Sequence, residues 1–447
     1  MLERKIEQSL KQWKSQEGRK PLIIKGCRQC GKTFSVLKFA NENYEHVVYL
    51  NFVQNPEFAE AFQGSLVVDD MTVLLSAMVP GAVFEAGKTC VILDEIQECP
   101  EARTALKFFK LDGRYDVMGT GSLLGVKGYG ERKRDEGRRT AKASVPVGYE
   151  TVIEMYPLDF EEFLWANGIN RTIVRRLRKY FDEGQPVPEA LHQRMRHLLL
   201  QYTVVGGMPE AVNTYLETHD MGKVLTVQHD IINGYEDDMM KYANDEDKPK
   251  IRECFESITR QLSKENKKFQ YSVIVKGAKA SQYKGSIQWI EDAGIVSRCR
   301  NLETTELPLD GNAIDDVFKI YMNDTGLFIS MLEEGTQYSV LQGDLYGYKG
   351  AVFENLVADI FHKMGRKLYY FRKESGLEVD FVMRYKGECV LIEVKASNGN
   401  TKSTRTILAH PEKYHVEKAI KLGDCNIGRQ NHLITIPHYM AFFLDLP

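Results

Sequence analysis

The sequence predicts an α/β protein whose first domain is a parallel sheet with helices on its faces. Three observations predict it. Apolar strand-like segments alternate with helix-patterned segments over residues 1–157. A glycine-bearing turn lies between the first strand and the next helix. A later apolar run ends in two adjacent acids.

The strands are expected in the order Pro21–Lys25, His46–Phe52, Thr89–Asp94, Tyr115–Gly119 and about Tyr149–Met155. Thr89-Cys90-Val91-Ile92-Leu93 is uninterrupted by charge, as suits a central parallel strand buried on both faces. The turn after Leu22-Ile23-Ile24 reads Gly26-Cys27-Arg28-Gln29-Cys30-Gly31-Lys32-Thr33. This is the phosphate-binding pattern G-x-x-x-x-G-K-[ST], placed between strand and helix where it must be. Gly26 and Gly31 let the backbone curl so that N–H groups point at phosphate oxygens, with Cys27, Arg28, Gln29 and Cys30 forming the loop. Lys32 is expected on the β/γ-phosphates and the Thr33 hydroxyl on Mg²⁺. The helix running on through Phe34 turns its positive end to the same phosphates. The cofactors expected are therefore ATP and Mg²⁺. Asp94 would hold the metal through water, and Glu95 would orient the attacking water. Thr120 or Ser122, at the tip of the fourth strand, is placed to sense the γ-phosphate; a plain turn with a serine cap is the simpler alternative.

Bulk properties narrow the field. At 447 residues the chain has room for several domains, and its net charge of −3 neither requires nor excludes a nucleic-acid partner. No apolar stretch is long enough to span a membrane, so no membrane partner is expected. The opening Met1-Leu2-Glu3-Arg4-Lys5-Ile6-Glu7-Gln8 reads as a charged amphipathic helix rather than a signal peptide. Eight irregularly spaced cysteines fit reduced thiols and a cytoplasmic location. Cys27 and Cys30 are read as loop fillers: with no second Cys or His pair nearby, neither zinc nor redox chemistry is expected of them.

Beyond the fourth strand, Glu131-Arg132-Lys133-Arg134-Asp135-Glu136-Gly137-Arg138-Arg139 reads first as a solvated mixed-charge loop. The sharper alternative makes Arg138 or Arg139 a finger reaching the nucleotide of a neighbouring subunit, which requires a homo-oligomer. Residues 158–245 show helical spacing broken by Gly and Pro, and are expected as a helical lid. Residues 246–335 read as two helices and a strand, a winged-helix-like order. Its lysines Lys264, Lys267, Lys268, Lys276, Lys279 and Lys284 could meet nucleic-acid phosphates or serve simple packing contacts.

Together the phosphate loop, Leu93-Asp94-Glu95-Ile96-Gln97, Gly121-Ser122, Tyr156-Pro157-Leu158-Asp159-Phe160-Glu161-Glu162-Phe163 and Gly206-Gly207-Met208-Pro209-Glu210 resemble the prokaryotic AAA-type ATPases with a C-terminal DUF4143 region. The resemblance runs over essentially the whole chain. It implies an ATPase core, a helical region, a winged-helix-like region and a nuclease-like C-terminus. The last two motifs mark the family without chemistry of their own.

Residues 336–447 hold a second constellation. Leu377–Arg384 and Cys389–Lys395 read as strands around the turn Tyr385-Lys386-Gly387-Glu388. If Lys386 and Gly387 are the two loop residues, Asp380 lies opposite Glu393, and Glu393 shares a face with Lys395. Opposed carboxylates repel unless a cation lies between them. The pattern resembles the D-x(n)-E-x-K core of the PD-(D/E)XK nucleases, a restriction-endonuclease-like α/β domain. That resemblance implies Mg²⁺ or Mn²⁺ on Asp380 and Glu393, with Lys395 helping to activate water. Glu354, on an apolar-faced helix, fits the further helical acid of that fold. A solvent-facing hairpin with an incidental Glu393–Lys395 pair is the plain alternative. The function expected is thus Mg²⁺-dependent ATP hydrolysis coupled to nucleic-acid binding or cleavage. The alternative is a nucleotide-dependent switch, or an oligomeric scaffold, that binds a protein partner and carries an inactive nuclease-like fold.

Overall fold

A computed structural model describes residues 1–123, 148–264, 267–343, 349–396 and 401–445. The chain forms two compact units, one built from residues 3–156 and 238–245, the other from residues 157–237 and 246–447.

Among the described residues the first unit holds five strands: β1 (Leu22–Gly26), β2 (His46–Asn51), β3 (Thr89–Asp94), β4 (Asp116–Ser122) and β5 (Thr151–Met155). Their order is β2-β3-β4-β1-β5, and every neighbouring pair is parallel. The predicted parallel α/β sheet is what the chain forms. All six residues of β3 are buried, as its apolar run requires. Side chains alternate between the two faces by the period of two. Ile23, Val91, Leu93 and Val117 pack toward α3 (Val68–Met78) and α4 (Pro100–Asp112). Leu22, Ile24, Cys90, Ile92 and Met118 pack toward α1 (Ile6–Ser15) and α2 (Lys32–Asn43). Each fully buried Leu or Ile contributes about 1.5–3 kcal/mol. Helices therefore cover both faces, and the carboxyl ends of β1, β3 and β4 come together at one edge of the sheet.

The second unit holds β6 (Val296–Leu302), β7 (Ala313–Met322), β8 (Leu368–Arg372), β9 (Glu378–Tyr385), β10 (Glu388–Lys395), β11 (Lys418–Gly423), β12 (Gly428–Gln430) and β13 (Leu433–Pro437). These eight form one mixed sheet in the order β12-β13-β11-β10-β9-β8-β6-β7. The expected winged-helix-like segment contributes β6 and β7 to this sheet, and β6 pairs in parallel with β8. Its hairpin is thus a continuation of the C-terminal sheet. The hairpin β9–β10 has the register expected of it: Phe381 faces Ile392 and Tyr385 faces Glu388. Lys386 (φ 51°) and Gly387 (φ 82°) are both left-handed, as a two-residue turn of this hand demands.

Two sequence motifs that carried no chemistry prove to be one packing joint. The Leu158 N–H donates to the Gly207 carbonyl at 2.6 Å, and the Tyr202 hydroxyl donates to the Leu158 carbonyl at 2.8 Å. A Cβ on Gly207 would lie 2.0 Å from the Leu158 oxygen, so only glycine allows this approach. Asp159 then starts the helix Phe160–Ala166 with a full capping box against Glu162. Among the described residues no helix is long and apolar enough to cross a membrane.

Candidate functional site

β1 ends at Gly26 and α2 begins at Lys32, so the phosphate loop spans the carboxyl edge of the sheet. Gln29 (φ 59°) and Gly31 (φ 94°) take left-handed conformations and wind the loop back on itself. The Lys32 ammonium is buried and donates to the carbonyls of Gly26 (3.2 Å) and Cys27 (2.8 Å). Arg28 pairs with Asp238 at 2.6 Å. Phe34, on the first turn of α2, is 53% exposed.

The loop is joined to the tip of β3. The Thr33 hydroxyl donates to Asp94 Oδ1 at 2.9 Å, and the Thr120 hydroxyl donates to the same oxygen. Asp94 Oδ2 accepts from Tyr49 (2.7 Å) and from the Asn51 amide (3.0 Å). A carboxylate that is 2% exposed thus has four donors. The registers explain the gathering: Asn51 faces Asp94 across β2–β3, and Gly26 faces Ser122 across β1–β4. Burial pushes the Tyr49 hydroxyl up to about 12, with the Asn51 hydrogen bond opposing and the negative Asp94 adding to the rise. Glu95 follows in the left-handed region (φ 56°) and accepts from the Gln97 amide at 2.5 Å. Its side chain is half-buried beside the strand tip.

Sequence reasoning missed three residues here. Tyr49 and Asn51 both donate to Asp94 Oδ2, a role legible only once β2 is set beside β3. Arg4 is buried at the loop's back, donating to the carbonyls of Cys30 (3.0 Å) and Tyr156 (2.6 Å). Nothing in its local sequence distinguishes it from the other charges of the opening helix. Thr120, expected at the tip of the fourth strand as a γ-phosphate sensor, lies inside β4 and donates its hydroxyl to Asp94. Arg138 and Arg139 lie outside the described residues.

In the second unit the structure brings Glu354, Asp380, Glu393 and Lys395 near one another, with Glu354, Glu393 and Lys395 all acting on the Asp380 carboxyl, although the three acids do not place their ligand atoms all within 4.8 Å. The helix Lys349–Lys363 carries Glu354, which is 4% exposed and accepts from Lys267, from Lys319 (3.1 Å) and from the Tyr321 hydroxyl. Lys319, on β7, is 1% exposed and also pairs with Glu378 at 2.8 Å. Asp380 Oδ2 accepts from the Val394 N–H at 2.8 Å. Glu393 pairs with Lys395 at 2.6 Å and accepts from the Thr404 hydroxyl. Burial would raise the Glu354 carboxyl, but Lys267 and Lys319 outweigh it and hold the group down at about 2. Burial, then the negative Glu354, pushes Asp380 up to about 7. Among the described residues, Glu45, His46 and Glu85 alone form a set of three or more His, Cys, Asp or Glu ligand atoms within 4.8 Å. That set is already bridged by Lys88, 3.2 Å from Glu45 and 2.7 Å from Glu85.

A parallel sheet with a glycine-flanked phosphate loop, joined through Thr33 to an acid at the tip of the third strand, defines an AAA-type P-loop ATPase-like fold. The family models agree: residues 18–164 match the AAA domain, and residues 349–439 match the domain of unknown function DUF4143. Residues 196–338 match the domain of unknown function DUF8612. No curated protein matches the chain. Among solved structures, the Walker-type ATPase PABY2304 of Pyrococcus abyssi is 15% identical, over 74% of this chain and 96% of that one, with a TM-score of 0.41. The ORC1 protein of Aeropyrum pernix in complex with DNA is 12% identical over 77% and 93%, with a TM-score of 0.29. AMPPCP-bound DnaA from Aquifex aeolicus is 12% identical over 65% and 86%, at 0.25. At such scores the functional reading rests on the site itself.

Proposed function

We propose that this protein binds ATP with Mg²⁺ at the phosphate loop and hydrolyses it. The observation that carries the reading is the 2.9 Å hydrogen bond between Thr33 and Asp94, which brings two hard oxygen donors together at the mouth of the loop. Such oxygens suit Mg²⁺ rather than a softer ion. When bound, the metal spreads the charge that builds on the phosphate oxygens. Lys32 exchanges its two loop carbonyls for the β/γ-phosphates. Glu95, held by Gln97, accepts a hydrogen bond from the attacking water and orients it. The test is ATP turnover and binding in wild type, Lys32→Ala and Glu95→Gln. Lys32→Ala should lose binding, and Glu95→Gln should still bind while turnover falls by about 10²–10⁴-fold. Unchanged turnover in both variants overturns the assignment.

For the C-terminal region, one observation favours a binding module over a nuclease. Lys319 is buried between Glu354 and Glu378, so a protein ammonium already supplies the positive charge these acids need. That ammonium supports a reading without a divalent ion on Glu354, while Asp380, on which Glu354 and Glu393 both act, is the acid the cleavage test addresses. Of the lysines read as phosphate contacts, Lys267 is held against the buried Glu354, whereas Lys284 makes only an exposed pair with Asp316 at 3.0 Å. We therefore read this region as a partner-binding module under nucleotide control. Single- and double-stranded DNA and RNA incubated with Mg²⁺ or Mn²⁺ should remain intact. Cleavage that disappears in both Asp380→Ala and Lys395→Ala would reinstate the nuclease.

A further inference from the structure

The phosphate loop contains a pair of thiols that the hydrolytic reading does not use. Arg28 and Gln29 are the central residues of a tight turn, with Gln29 at φ 59°, so Cys27 and Cys30 stand at its two ends. The ends of such a turn have Cα atoms less than about 7 Å apart, which overlaps the ~4.4–6.8 Å that a disulfide spans. The Cys30 sulfur is turned back across the loop, 2.9 Å from where a Cβ on Gly26 would lie. The two thiols are placed differently: Cys27 is 6% exposed and Cys30 is fully enclosed, with its sulfur 3.5 Å from the Met155 carbonyl. Cations lie close to Cys30, because Arg4 donates to its carbonyl at 3.0 Å and Lys32 follows two residues on. The hydrogen bond from Cys27 pulls the Cys30 thiol down to about 6, against burial and with help from Lys32 and Arg4. By contrast, burial pushes Cys90, Cys99, Cys254, Cys299 and Cys389 up, as is usual for inert core thiols.

We propose that Cys27 and Cys30 close a reversible disulfide across the turn of the phosphate loop when a small peroxide reaches them, and that the closed form binds ATP weakly. The chemistry balances without any other reactant. The Cys30 thiolate attacks one peroxide oxygen, the O–O bond breaks, and water leaves with a proton, giving a sulfenic acid. The Cys27 sulfur then attacks the Cys30 sulfur and expels a second water. Two thiols and one peroxide become one disulfide and two waters, with two electrons passing from sulfur to oxygen. A thiol reductant reverses the change by exchange. The effect on ATP follows from the same atoms. The Cys27 carbonyl is a ligand of Lys32, and residues 27–30 are the part of the loop that must wrap a phosphate. A covalent tie across that turn fixes the loop's width.

The effect on ATP rests on the ATPase reading; the disulfide does not. The experiment uses the full chain, reduced with dithiothreitol or treated with hydrogen peroxide, then alkylated, peptide-mapped and titrated with ATP in a calorimeter. Peroxide should leave Cys27 and Cys30 in one crosslinked peptide, raise the ATP dissociation constant on the order of tenfold, and dithiothreitol should restore it. In Cys30→Ala the affinity, whatever its starting value, should no longer respond to peroxide. Full alkylation of both thiols after peroxide overturns the proposal, and so does a disulfide that leaves ATP affinity unchanged. A reduced chain that binds no ATP sinks the ATPase reading and the regulatory half with it, while the peptide map still decides the disulfide.

Discussion

Asp94 shows how much one side chain can be asked to hold. Its two oxygens take hydrogen bonds from Thr33, Thr120, Tyr49 and Asn51 in a nearly sealed site. Asp94→Ala strands four donors, each costing about 1–3 kcal/mol if it stays buried and unpaired. We expect this variant to unfold at lower urea concentration as well as to lose ATP turnover, which separates it from Glu95→Gln, whose stability should stay near wild type. Arg4→Ala removes two hydrogen bonds behind the loop and no group that meets ATP. Weaker nucleotide binding by calorimetry, with the ATP-saturated rate less affected, is the expected result. Two buried histidines set an acid limb. Burial pushes His362 down to about 4, helped by Lys363; it pushes His438 to about 4 as well, with Asp424 opposing. The unfolded chain takes up these protons near pH 6.5 and the folded one only near 4, so stability is lost as pH falls through that window. Asp359 and Asp380, each pushed up to about 7 chiefly by burial, act in the opposite sense as pH rises. The histidine share is therefore read by difference: urea unfolding of His438→Gln at pH 4.5, 5.5 and 6.5 should show a flatter acid limb than wild type.

At the scale of elements, the joint between Leu158 and Gly207 is the most constrained backbone contact described. Gly206 (φ 73°) and Gly207 lead into the helix Pro209–Thr218, and the Gly207 N–H donates to Asp324 at 2.7 Å. Gly207→Ala drives a methyl against a carbonyl that is itself fixed by Tyr202. A loss of about 1–3 kcal/mol or more is expected from circular-dichroism melts, with ATP binding by the first unit retained. The elements themselves were largely legible. Apolar strands ending in Gly26 and in Asp94 announced the loop and its partner acid, and Lys386-Gly387 announced the hairpin, because each signal lies within a few consecutive residues. Tyr49, Asn51 and Lys319 were not legible as site residues, and Lys267 was legible only as a phosphate contact, because their roles arise from strand and loop neighbours far away in sequence.

For the whole molecule, the division expected at residue 335 cuts through a sheet. β6 and β7 precede that point, and β8 follows it and pairs with β6. Local patterns of helix and strand could suggest a winged helix, but nothing local says which distant strand will lie beside β6. A chain truncated after residue 335 should therefore expose the β6 edge and lose the cooperative unfolding of its second unit, whereas a self-contained winged-helix domain would keep it. Limited proteolysis with calorimetry of the fragment distinguishes these outcomes.

The far border of that same sheet has a consequence of its own. β7 is its last strand, and an unpaired last strand is an invitation to stacking by another chain. Here the Phe269 N–H already takes the Phe318 carbonyl at 2.8 Å, while Asp315 and Asp316 stand exposed farther along. One position is occupied and the exposed stretch carries charged pairs, Asp315 with Arg300 and Asp316 with Lys284, so a newcomer strand meets a charged, hydrated surface there. Growth of the sheet from molecule to molecule, the first step toward fibrous aggregation, is disfavoured at this border by one backbone bond and a row of charged side chains.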